Sequence, residues 1–215
     1  MPLPARAVAG LAVAALTATA LVTVGGDVPA QARARLTKSC VSSTGGVVVL
    51  DRDATDYRLT GDCKTLRVTG DDITVDAWFV DTLEIVGDRN TVVGSILYES
   101  DVRGRGNTIR AGSMRTVLLR GRGHSVESAG LLEKVRLRAN RSLVIADRLS
   151  TLRARGNRNA VLAGPTTTAK VVGNRNALAH EQLDELRVKG KRNTVTVAKG
   201  HTQVRASGRR NKLPR

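Results

Sequence analysis

The chain has 215 residues, a formal net charge of +16 and an aromatic content of 2 %. So few aromatic side chains argue against single-strand recognition by base stacking, which needs aromatic platforms. The two cysteines lack Cys-x-x-Cys or Cys/His spacing and give no zinc site.

Met1 to about Ala34 (1–34) is expected to be a secretory signal peptide. Arg6 supplies the charged start and Ala7 to Val24 the apolar stretch. Ala30-Gln31-Ala32 and Ala32-Arg33-Ala34 both fit a small-x-small cleavage site. The stretch is long enough to compete as a membrane anchor, which takes ~20 apolar residues, but its Ala, Thr and Gly content favours a cleaved signal. No later segment is apolar enough to span a bilayer. Thr37-Lys38-Ser39 before Cys40 argues against a lipid anchor. The expected location is therefore extracytoplasmic, secreted or associated with the cell envelope, and nucleic acid is not an expected partner there. The remainder, about 180 residues, is enough for one domain with a sizeable core.

Residues 35–61 carry Cys40 and Asp51-Arg52-Asp53 and are expected to form an N-terminal cap segment. In an exported chain an even cysteine count points to a disulfide, Cys40 to Cys63. It would contribute ~3 kcal/mol by restricting the unfolded chain. Two reduced thiols are the alternative.

Over 62–215 one motif recurs. Leu83-Glu84-Ile85-Val86-Gly87-Asp88-Arg89-Asn90-Thr91-Val92 is one copy, and Leu186 to Val195 is another. The glycine-equivalent positions are Gly70, Gly87, Gly104, Gly121, Ala139, Gly156, Gly173, Gly190 and Gly208, separated by 17 residues or, twice, 18. A fixed period over most of a chain means a repeat architecture. Apolar residues recur seven, four and two positions before the glycine and five after it, as at Val80, Leu83, Ile85 and Val92. Alternation with period two predicts short strands. The period is too short for tetratricopeptide or ankyrin units, and the Gly, Asn, Val and Thr content disfavours helix. The predicted fold is all-β: a single parallel β-helix, or β-solenoid, with about 17 residues per coil and coils ~4.8 Å apart.

Gly-x-x-Asn follows each strand. Glycine permits positive φ at a tight corner. Asn90, Asn107, Asn159, Asn176, Asn193 and Asn211 are expected to stack as a structural ladder. Ile73, His124 and Ser142 stand in that slot in the other coils. The stretch from Ala139 to Ser142 loses both signals and is expected to be irregular. At the C-terminus, charge and Pro214 disfavour strand pairing.

Charge is unevenly spread. Residues 40–100 hold 11 acidic and 5 basic side chains, whereas 101–215 hold 7 and 26. Basic residues recur just before and just after the glycine. Candidates for binding a polyanion are Arg103, Arg105, Arg120, Arg122, Arg138, Arg141, Arg155, Arg158, Arg175, Lys189, Arg192 and Arg209. Arginine suits phosphate and carboxylate through its planar fork. The expected partner is an anionic cell-wall polymer or acidic polysaccharide; a solvated, aggregation-resistant face is the alternative.

No EF-hand or nonapeptide calcium loop occurs among the early aspartates, and neither a metal nor another cofactor is expected. Catalysis is not expected either. Asp71, Asp72 and Asp76 with Arg89 are the one vague candidate for a polysaccharide-cleaving site. His124, His180 and His201 fall on different coil positions, with His201 at an inward one. A carbohydrate-active β-helix enzyme or lectin remains the alternative to a non-catalytic structural or adhesion module.

The Leu-x-Val-x-Gly-x-x-Asn-x-Val pattern resembles a family of exported actinobacterial repeat proteins that carries a domain of unknown function. The resemblance covers roughly Leu59 to Leu213 and implies an exported β-solenoid, with no catalytic residues to carry over.

Overall fold

The structure, a computed structural model, describes residues 33–41 and 46–214. Met1 to Ala32, and with them most of the expected signal peptide, lie outside the described residues. The described chain contains thirteen strands: β1 (Ala34–Ser39), β2 (Val47–Leu50), β3 (Thr55–Thr60), β4 (Asp62–Val68), β5 (Thr74–Val86), β6 (Thr91–Arg105), β7 (Thr108–Arg122), β8 (Ser125–Asn140), β9 (Leu143–Arg155), β10 (Ala160–Val172), β11 (Ala177–Lys189), β12 (Thr194–Val197) and β13 (Gln203–Ser207). No α-helix occurs among the described residues, and none is long and apolar enough to cross a membrane.

From β5 onward each strand pairs in parallel with the next, and β13 pairs with β11 beside β12. Leu83 lies opposite Ser100, and Ser100 opposite Val117. One sequence repeat is thus one coil, and the chain is a parallel β-solenoid. The segment expected to cap the stack takes part in the same pairing: β1 lies parallel to β3, β3 to β5, and β2 to β4. Cys40, immediately after β1, is disulfide-bonded to Cys63 in β4, with their Cα atoms 4.8 Å apart.

Strands β5 to β11 run for 13 to 16 residues, longer than the short strands that the motif's alternation predicts. Pairing nevertheless lapses twice within each coil. Between β5 and β6 it covers 74–77, 79–80 and 82–86 on the β5 side. Those lapses are two further corners, which the backbone rounds without a tight turn, so three short sides make one coil.

Alternation sends the four apolar columns inward. Val80, Leu83, Ile85 and Val92 are all fully buried, as are Leu132, Val135, Leu137 and Val144 three coils on. A fifth inward column stands seven after the glycine and holds small residues: Ala77, Ala111, Ser128, Ala146 and Ala163. His180 breaks that column. It is buried against Thr166, its Nδ1 2.8 Å from the Thr166 hydroxyl. Because each coil buries its apolar face on its neighbours, stability belongs to the stack rather than to any single coil.

The extra residue between Gly121 and Ala139 is absorbed as a bulge near Ala129-Gly130, at a corner and away from the core. Among the described residues no further coil stacks on the last one. His201 is exposed there, and Val204 is 37 % exposed.

Candidate functional site

The Gly-x-x-Asn corner is built from four slots, each with its own requirement. In the first, Gly104, Gly121, Gly156, Gly173, Gly190 and Gly208 have φ between 116° and 143°. A Cβ added at Gly173 would overlap the carbonyl of Gly156 one coil earlier. Coils can therefore approach at strand spacing only where this slot lacks a side chain or, as at Ala139, adopts another φ.

The fourth slot holds the inward asparagines. Asn159 Oδ1 accepts from the backbone N–H of Ser142 at 3.0 Å, and its Nδ2 donates to the carbonyl of Ala139 at 2.9 Å. Asn90, Asn107, Asn176, Asn193 and Asn211 repeat this double bond to the preceding coil. The rungs run mainly from side chain to backbone, with direct amide-to-amide contact only from Asn176 and Asn193, at 3.1 and 3.2 Å. Buried backbone groups at a corner cannot reach water, so the amide supplies both missing partners. His124 takes the slot differently. Its Nε2 donates to the Arg120 carbonyl at 3.0 Å, which fixes the tautomer, while Nδ1 is buried without a partner. Burial holds its pKa below the ordinary imidazole value.

A second ladder occupies the second slot and runs the opposite way. Asn140 Oδ1 accepts from the N–H of Asn157, Asn157 from Asn174, and Asn174 from Lys191, at 2.7 to 2.8 Å. In the early coils Asp53, Asp71 and Asp88 make the same bond to the following coil, at 2.7 to 2.8 Å. The inner ladder reaches back one coil and the outer ladder reaches forward one coil.

The third slot is left-handed in every coil. Arg89, Arg141, Arg158, Arg175, Arg192 and Arg210 have φ of 53° to 58°, with Asp72, Gly106 and Gly123 in the remaining coils. This conformation turns the slot's N–H toward the carbonyl of the next coil, as from Arg158 to Asn174 at 3.0 Å and Arg175 to Lys191 at 3.0 Å. A non-glycine side chain there is disfavoured by about 1–2 kcal/mol. Stacked guanidinium groups ~5 Å apart add a repulsion of ~0.8 kcal/mol per pair in water, which salt lowers.

Together these slots line an open groove of about 820 Å³ along the later coils. Arg122, Arg141, Arg158, Arg175, Lys191, Arg192, Arg209 and Arg210 supply its charge, Asn140, Asn157 and Asn174 supply neutral amides, and no carboxylate lines it. None of these cations is in an ion pair among the described residues. Arg89 differs: it pairs with Asp72 at 2.6 Å, and the guanidinium holds that carboxyl below the usual carboxylate range.

Of the predicted candidates, Arg122, Arg141, Arg158, Arg175, Arg192 and Arg209 share this groove. Arg103 and Arg120 both lean on Asp101, at 3.0 and 3.6 Å, and stand apart. Arg138 and Lys189 are exposed on the strand side before the corner, Arg105 is exposed at the corner of an earlier coil, and Arg155 lines a smaller groove with Arg153, Lys170 and Arg187. Arg210, Lys191 and the three outer asparagines complete the groove but were absent from the candidate set. For Asn157 and Asn174 the signal was present in the sequence as Gly-Asn-Arg-Asn at 156–159 and 173–176, and for Lys191 and Arg210 as the basic pairs at 191–192 and 209–210. Of the vague catalytic candidates, Asp72 and Arg89 are brought together as an ion pair, Asp71 accepts from the Asp88 N–H in the outer ladder, and Asp76 stands on β5.

Residues 54–96 and 155–210 match a family described as a protein of unknown function, DUF3060. The stretch between them contains the coils where Gly106, Gly123, His124 and Ala139 to Ser142 depart from the pattern. No curated protein and no solved structure matches the chain. The two matched segments make the chain similar to a domain of unknown function built, here, as a β-solenoid.

Proposed function

We propose that the chain works outside the cytoplasm as a non-catalytic structural or adhesion module that binds polyanions through the basic corner groove. The observation that carries this reading is the arginine column of the third slot. Five consecutive coils place an unpaired arginine in a backbone conformation that suits glycine or asparagine better, next to like charges. Strain and repulsion repeated at one place point toward a function for the side chain rather than for the fold. Two of the other coils carry glycine in the same slot and keep the same pairing, so the fold does not need arginine there. The Cys40–Cys63 disulfide supports an oxidising compartment.

The test uses Arg158→Gly, Arg175→Gly and Arg192→Gly combined, which relaxes the backbone while removing the charge. The parent chain is expected to be retained on heparin at low salt. The triple variant should elute at lower salt with an unchanged or higher melting temperature. No retention of the parent at low salt would sink the reading.

A further inference from the structure

We infer that the polyanion is an acidic polysaccharide that lies lengthwise along the corner groove, with one sugar residue per coil from Arg141 to Arg210. The inference rests on the polyanion reading above and adds ligand class, direction and register. The five arginines share one backbone pose, with φ from 53° to 58°. Their side chains therefore leave the corner from equivalent points on a line, spaced ~4.8 Å apart. An extended β-1,4-linked glycan advances by nearly that distance per sugar; because successive sugars are turned over, alternate sugars present their carboxylates to the forks and the sugars between present hydroxyls.

The neutral groups, taken with the spacing of the forks, favour a sugar over other polyanions. Asn140, Asn157 and Asn174 commit Oδ1 to the outer ladder, and their exposed Nδ2 groups make no hydrogen bond within the described residues. Each of those coils thus offers a cationic fork for a carboxylate or sulfate and, beside it, a neutral donor for a hydroxyl or ring oxygen. A polyphosphate could accept from the amides too, but its anionic units lie closer together than the coils space their forks. For nucleic acid the groove has no aromatic ring on which a base could stack. A duplex also carries a charge every ~1.7 Å of its axis, which does not fit the coil period.

The chain would be titrated, at one low salt concentration, with β-1,4-linked oligomannuronates of increasing length. Polyphosphate and oligodeoxythymidylate of matched charge serve as comparators. Affinity should climb steeply up to the length that spans the five arginine-bearing coils and only slowly beyond it. The matched comparators should bind about tenfold more weakly, a difference of about 1.4 kcal/mol. Arg175→Gly, which interrupts the column at its centre, should weaken the pentamer far more than the dimer. Affinity that tracks total charge alone, or comparators that bind as tightly as the oligouronate, would overturn this inference and leave the polyanion reading in place. Absence of binding to every polyanion would overturn both.

Discussion

At the corner of the early coils Asp53, Asp71 and Asp88 perform the bond that Asn140, Asn157 and Asn174 perform in the later ones. Each presents Oδ1 to the N–H of the following coil, at nearly the same distance. What differs is the charge left over: anionic in the first set, none in the second. The left-handed slot shows the same freedom, since Asp72, Gly106 and Arg158 all occupy it. The corner backbone thus specifies an acceptor and a φ, and leaves the electrostatic character of the surface open. That independence allows one rod to be acidic at one end and strongly basic at the other.

The comparison breaks most severely where the slot does constrain chemistry. Asn159→Leu removes the acceptor for Ser142 and the donor to Ala139, both buried. Two unpaired backbone groups should cost about 2–6 kcal/mol, read as a lower denaturant midpoint. An unchanged midpoint would show that the inner ladder contributes little.

A second contrast lies in the small-residue column, where Ala77 in the acidic half corresponds to His180 in the basic half. Burial lowers the His180 pKa to about 4. The unfolded chain therefore takes up the imidazole proton first, and stability is complete above about pH 6.5 and declines as pH falls toward 4. The shift corresponds to roughly 3 kcal/mol. His180→Ala should flatten the melting temperature against pH over that window, and an undiminished slope in the variant would assign the acid sensitivity elsewhere.

Converting one half into the other is a milder change. Asn157→Asp with Asn174→Asp keeps both acceptors and should alter stability by less than about 1 kcal/mol, while moving heparin elution to lower salt. If the double variant unfolds, the outer slot is not indifferent to charge. The smallest effect is expected from Asp72→Asn. It frees Arg89 from an exposed ion pair and should leave the melting temperature unmoved. A clear drop would mean that this surface pair matters more than its exposure suggests.

The period, the four apolar columns and the asparagine slot were legible in the sequence, because burial forces them to recur. Asn159 stands out among charged neighbours for that reason. The outer ladder was not legible in the same way. An exposed Asn157 or Asp71 at a turn looks like any solvated polar residue, and only the bond to the next coil distinguishes it. The left-handed slot was hidden too, since arginine gives no hint of positive φ, although the glycines at 106 and 123 mark it. His201 sits at an inward register position yet is exposed, because register predicts burial only where another coil follows.

The opposed directions of the two ladders have a mechanical consequence. Each interior corner is tied to the coil before it and the coil after it, so a pull along the rod loads all junctions in series and the weakest yields first. Both ends have short strands, but the Cys40–Cys63 disulfide staples the N-terminal one, so that junction is at the C-terminal end, where β12 and β13 have 4 and 5 residues. Held at its N-terminal end and drawn from the other, such a rod would peel one coil at a time, each release of about 17 residues lengthening it by up to roughly 60 Å. It would then behave as a ratcheted tether, giving way in steps under load while the coils nearer its disulfide stay wound.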